Sequence, residues 1–152
     1  MVISLNSSEM NLNLFLRKAS EIREAIKDIR NYTANNENEF LKNTQLIDAT
    51  KYKFIVAIEA CMAICNHIIS RAGNRVPESY SECFQILQEL TIISEKVSKN
   101  LIKMAKFRNL LTHIYWTIDD KKVLKYARNY LDDFEKYLME IGDYLKNETK
   151  LS

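Results

Sequence analysis

Residues 96–115 read KVSKNLIKMAKFRNLLTHIY. At about 100° per residue, Val97, Leu101, Met104, Arg108, Leu111 and Tyr115 fall into one seam. This recurrence predicts a helix from about Ser94 to Tyr115 that packs the seam inward. Arg108 stands where an apolar residue is expected, and a guanidinium keeps its charge at any physiological pH. Buried without a partner it is costly, so it requires a carboxylate, a bound anion or the surface of a second subunit. Thr112, Asn109 and His113 fan away from Arg108 over a flank of about 140°. Lys96, Lys99, Lys103 and Lys106 form a separate basic line, which His113 ends.

The same periodicity extends outward. Leu12, Phe15, Leu16, Ala19, Ile22, Ile26 and Ile29 predict a helix capped by Ser8 or Asn11 and running to Tyr32. After a polar break at 33–38, a short helical piece covers Glu39 to Ile47. A long helix then runs from Lys51 to Arg71, capped by Asp48 or Thr50. Gly73 and Pro77 punctuate the chain, Gly73 as a helix C-cap and Pro77 as a block to continuation. A short helix from Tyr80 to Leu90 follows. Asp119 or Asp120 caps a final helix from Lys121 to Lys146, with Val123, Tyr126, Ala127, Tyr130, Phe134, Tyr137, Leu138, Ile141 and Leu145 as its stripe. Four long helices and two short ones, without repeat or linker, predict an all-α, up-and-down four-helix bundle with one or two extra short helices. Residues 1–152 are expected to form one domain.

Composition agrees. Apolar residues make up 47% of 152, enough for a core, and 2 Gly with 1 Pro are too few for a β-rich fold. With 22 basic and 20 acidic side chains the formal charge is only +2, so a polyanion must be held by a local patch. The three cysteines, Cys61, Cys65 and Cys83, lack framework spacing, and the start MVISLNSSEM lacks a signal-peptide pattern. A reducing, cytoplasmic location is expected. The most apolar run, Phe54 to Ile69, spans 16 residues and contains Glu59, Asn66 and His67; it reads as a core helix, not a membrane span. Cys61 and Cys65 lack further ligands nearby and read as small core residues. No metal site and no cofactor are expected.

Arg, His and a lysine line together suit a phosphodiester. Arginine offers a fixed fork for phosphate oxygens, histidine exchanges a proton near neutral pH, and lysines track a backbone without reading sequence. The stretch RNLLTHIY, Arg108 to Tyr115, resembles the R-x4-H signature of the HEPN superfamily, in the R-N-x-x-x-H-x-Y form of its HepT-like toxins. GNRVPESYSECFQIL (73–87) resembles the loop and short helix before the motif helix in that branch, and KYKFIVAIEACMAICNHIIS (51–70) resembles its long core helix. The resemblance covers roughly Asn11 to Leu145.

The resemblance implies a HEPN domain that forms a homodimer, with the motifs of two subunits meeting in a shared cleft. It implies a toxin that cleaves RNA without a metal. His113 would be the general base or acid, Arg108 would hold the phosphate and its developing charge, and Asn109 would position the substrate or Arg108. It further implies an antitoxin partner, a small nucleotidyltransferase (MNT domain) that transfers AMP onto Tyr115, adding bulk and negative charge at the cleft. Ile114 and Trp116 depart from the pattern, since many relatives carry an acidic residue before the tyrosine. A different class of function is a non-catalytic helical accessory subunit, which binds nucleotide or presents substrate to a nucleotidyltransferase. The intact Arg108–His113 pair favours the enzyme.

Thr112 and Lys106 flank the motif as possible substrate contacts. Glu59 and Asn66, at helical spacing in the apolar helix, could face the motif helix and hold Arg108; an ordinary internal hydrogen bond is the plainer alternative. His67 reads as a packing or capping histidine, and Arg75 as a solvated loop residue, with contact to RNA or the antitoxin as the alternative.

Overall fold

In the computed structural model, which describes residues 7–72, 75–114 and 117–151, helices are the regular secondary structure among those residues. They are α1 (Ser7–Tyr32), α2 (Glu37–Lys42), α3 (Thr44–Ala72), α4 (Tyr80–Glu89), α5 (Glu95–His113), α6 (Asp120–Asn129) and α7 (Asp132–Leu151). The four long ones make the bundle: α1 packs on α3 and α7, and α5 packs on the same two from the other side. α4 lies against α3 and α5, while α2 and α6 meet α3 around Phe40, Ile47 and Leu124. The expected seam of α5 is buried at Val97, Leu101, Met104 and Leu111.

Several helix boundaries differ from expectation: Ser8 and Asn11 lie inside α1 rather than capping it, and the short piece expected over Glu39 to Ile47 is Glu37–Lys42, with Ile47 in α3. The long helix begins at Thr44, seven residues before Lys51, because Asn43 takes an extended conformation and its Oδ1 accepts from the Leu46 amide at 3.1 Å. Thr50, expected as a cap, lies inside the helix, where its hydroxyl donates to the Leu46 carbonyl at 2.7 Å. The final helix is two. Tyr130 leaves helical geometry at φ −122° and ψ 4°, the Asn129 side chain donates back to the Lys125 carbonyl, and Asp132, Asp133 and Glu135 supply the acidic first turn of α7.

α3 is longer than the 54–69 run suggested, and on length and composition alone it could cross a membrane. Its apolar residues are committed to the bundle instead: Phe54, Ala57, Ile58, Cys61 and Cys65 are fully buried. Cys65 also has a partner that its spacing did not reveal. It forms a disulfide with Cys83, joining α3 to α4, and only Cys61 is a free thiol. This corrects the reading of the cysteines as an unpaired set and removes the support they gave to a reducing compartment.

The turn between α4 and α5 sets how α4 meets the motif helix. The Ile92 amide donates to the Leu87 carbonyl and the Thr91 amide to the Gln88 carbonyl, both at 2.9 Å, with Thr91 at φ 59°. This is the helix-ending arrangement that usually places glycine at the left-handed position. Ser94 then caps α5, its Oγ accepting from the Val97 amide, and Glu140 of α7 accepts from the Ser94 amide and hydroxyl at 2.6 and 2.9 Å.

Candidate active site

The site forms where the last turns of α5 meet α3 and α4. Phe107 is buried and anchors that end of the helix, edge-on to Phe54 at 5.2 Å and stacked on Tyr126 at 4.1 Å. The next residue, Arg108, turns toward α3. Its Nη2 donates to Glu59 Oε1 at 2.8 Å, and its Nη1 donates to Asn109 Oδ1 at 3.4 Å. The guanidinium carbon lies 4.8 Å from the centroid of the Tyr80 ring, at the start of α4. Arg108 is 19% exposed and Glu59 48%, so the cation is sheltered and its counter-ion opens to solvent.

Of the three ways to satisfy Arg108, the chain therefore supplies the first, a carboxylate. The inference of a second subunit from Arg108 alone loses its force. One donor is still unanswered: Arg108 Nε is shielded from solvent and has no hydrogen-bond partner among the described residues.

The other motif residues lie on the outer side of the same turns. Asn109, Thr112 and His113 are exposed, and His113 is the last residue of α5. The Thr112 hydroxyl donates to the Asn109 carbonyl at 3.2 Å. Lys106 is exposed on that side too. Tyr115, Trp116 and Gly73 lie outside the described residues.

Glu59 and Asn66 part company. Glu59 holds Arg108, whereas Asn66 is exposed and its Oδ1 lies 3.4 Å from Cys83 Sγ, away from the guanidinium. Asn66 is seven residues on from Glu59, and α3 has by then moved past the motif helix and faces α4. His67 accepts from Arg71 Nε at 3.3 Å; burial, and then the Arg71 charge, lower its pKa. Arg75 is the solvated loop residue expected, and it is ion-paired with Glu82 and Glu89 of α4 at 3.5 and 3.2 Å. Tyr80 was not singled out from the sequence. Its only signal was its place inside the 73–87 stretch that resembles the loop and short helix before the motif.

Residues 22–141 match the family described as ribonuclease HepT-like. The chain belongs to the HepT-like ribonuclease family. The mRNA nuclease HepT of Shewanella oneidensis is 27% identical over 126 residues, which cover 83% of this chain and 94% of that protein. The structure of a tri-AMPylated Shewanella oneidensis HEPN toxin in complex with an MNT antitoxin superposes with a TM-score of 0.80 at 27% identity, covering 86% of this chain and 97% of that one. A toxin–antitoxin structure with AMP-PNP superposes equally well, at 26% identity over 86% of this chain and 98% of that one. The all-α bundle and the ribonuclease activity expected from the motif are thus those of the HepT-like family.

Proposed function

We propose that this HepT-like ribonuclease is the toxin of a toxin–antitoxin pair, a single HEPN domain over residues 1–152 that acts in the cytoplasm. In this reading it cleaves RNA without a metal, through Arg108 and His113. The observation that carries the reading is the state of Arg108. Glu59 and Tyr80 fix its plane, and one sheltered N–H has no acceptor among the described residues. A phosphate oxygen at the exposed part of the guanidinium benefits from its fixed charge.

His113, exposed at the helix end, removes the proton from a ribose 2′-hydroxyl. The freed oxygen attacks the adjacent phosphorus, the P–O5′ bond breaks, and a proton returns to the departing 5′-oxygen. The products are a 2′,3′-cyclic phosphate and a 5′-hydroxyl. Asn109 steadies the guanidinium through its 3.4 Å hydrogen bond, and Thr112 and Lys106 contact the strand beside it. In the homodimer, two such half-sites face a common cleft. A nucleotidyltransferase antitoxin of the MNT type shuts the site by moving AMP from ATP to Tyr115, as the AMPylated toxin from Shewanella oneidensis suggests.

The test is expression and digestion with single variants. Arg108→Ala and His113→Ala should each abolish RNA cleavage and growth inhibition while helical content and dimer mass are preserved, and EDTA should leave the parent's cleavage intact. Tyr115→Phe should stay toxic when the antitoxin is co-expressed. Cleavage that survives in both alanine variants would sink the catalytic assignment.

A further inference from the structure

Beyond the motif, the α5–α6 side carries two adjoining hollows that share Tyr126 and Tyr130. One, of about 380 Å³, is lined by Lys121, Lys122 and Lys125 and by Asp119. The other is a narrow cleft where Lys103, Asn100 and Asp133 face the same two rings. The rings form a ladder that starts in the core, one residue before Arg108. Phe107, next to Arg108, stacks flat on Tyr126 at an interplanar angle of 8°, and Tyr130 tilts against Tyr126 at 4.9 Å. Both tyrosines are half-buried.

Several described lysines, Lys27, Lys42, Lys96, Lys106 and Lys136 among them, make no ion pair among the described residues, and those of the groove are of the same kind. Lys18, Lys51, Lys53 and Lys99 each have a carboxylate within ion-pair distance. Lys103, Lys121, Lys122 and Lys125 are exposed and make no ion pair among the described residues. The acids of the hollows are engaged locally: exposed Asp119 caps α6, its Oδ1 accepting from the Lys121 amide at 2.9 Å, and buried Asp133 accepts from Asn100 at 3.0 Å.

We propose that this groove holds the single strand of RNA flanking the scissile phosphate, with Lys103, Lys122 and Lys125 against phosphates and Tyr130, backed by Tyr126, as a platform for a base. Uncompensated lysines interleaved with stacked rings are the arrangement that binds single strands without reading sequence. The proposal rests on the ribonuclease reading of the motif and extends it to the path the strand takes. A wet, charged face explains the lysines but gives no reason for a concave surface with aromatic rings at its floor.

The experiment measures binding apart from cleavage. The full chain, purified free of its partner, is titrated by fluorescence anisotropy against a labelled 2′-O-methyl oligouridylate of about 12 nucleotides, within the usual site size for single strands. The blocked 2′-oxygen prevents cleavage. Lys122→Ala with Lys125→Ala should lower the slope of log affinity against log salt by about 1.4, the value for two lost phosphate contacts on a single strand. Tyr130→Leu should weaken binding about tenfold while Tyr130→Phe binds as the parent, because the ring face is what stacks. Thermal melts confirm that each variant is folded.

Cleavage of a dinucleoside phosphate, too short to reach the groove, reads the active site separately. Groove variants should leave it unchanged. An Arg108→Ala variant that still cleaved it would remove the catalytic assignment without touching the binding result. Groove variants that bind the oligonucleotide as the parent does would overturn the proposal, and loss of antitoxin binding in those same variants would assign the surface to a protein partner instead.

Discussion

Replacing Glu59 by glutamine keeps the shape of the side chain and removes the charge that Arg108 faces. The bond concerned is 2.8 Å long, between a guanidinium 19% exposed and a carboxylate 48% exposed. A hydrogen bond to a charged group contributes about 1.5–3 kcal/mol and a neutral one about 0.5–1.5. The half-open carboxylate is screened by water, which brings the difference down to about 1 kcal/mol. At roughly 2.1 cal/mol/K of unfolding entropy per residue over 152 residues, that loss lowers Tm by about 3 °C.

Activity responds differently from stability. Glu59 fixes the guanidinium but also competes with phosphate for it, so Glu59→Gln loosens the geometry while raising the available charge. Loosened positioning should cost about tenfold in kcat, and KM should stay level or fall. Steady-state cleavage of a fluorogenic RNA, with melting curves on the same samples, measures both. A Glu59→Gln variant with the parent's kcat and Tm would refute the reasoning, because Tyr80 alone would then hold Arg108.

Three further outcomes follow from local structure. Thr91→Gly relieves a left-handed threonine in the α4–α5 turn and should stabilise the protein by about 0.5–1 kcal/mol in chemical denaturation. Burial raises the pKa of Asp133, against the lowering effects of Lys136, Asn100 and Lys96 and reinforced by Asp132. The folded chain therefore holds that proton more tightly than the unfolded one, and stability falls as pH rises from the ordinary carboxylate value through the raised one. Asp133→Asn, which keeps an acceptor for Asn100, should melt above the parent near neutral pH, with the gap closing in acid. Burial pushes the Cys61 thiol far up, so iodoacetamide should leave Cys61 unlabelled in the native protein and label it after denaturation.

The parts legible in the sequence were those that periodicity or chemical oddity marks within one helix. The α5 seam was readable because one apolar face repeats, and Arg108 because it interrupts that face. Glu59 was readable for the same reason in α3, but the criterion did not separate it from Asn66, since only the crossing of α3 past α5 decides which one meets the guanidinium. The break at Tyr130 was hidden because the apolar face continues across it: Ala127, Leu131 and Phe134 are all buried. The start of α3 was misplaced because Asn43, Asp48 and Thr50 are all acceptable caps by residue type. Tyr80 under Arg108 and the Cys65–Cys83 pair depend on how α4 lies on its neighbours, and no single-helix pattern encodes that.

A chain of nearly balanced charge can still present a basic face, because what matters is where the acids are committed. On the α1 side, Arg23 and Arg30 are paired with Glu135 and Asp132 of α7, and Lys53 of α3 with Asp28 of α1. Those pairs neutralise one side of the bundle. The lysines of α6 and Lys103 of α5 have no such partners among the described residues. The surplus of +2 therefore understates the local field on the α5–α6 side, where the proposed strand would meet unpaired lysines. Arg108 is held differently. A guanidinium already bonded to Glu59 and stacked on Tyr80 adds little long-range attraction but presents a fixed geometry. On the proposed reading, affinity for the strand and placement of the reacting phosphate fall to different residues on different faces of α5, and Phe107, packed between the tyrosine ladder and the core, lies between the two.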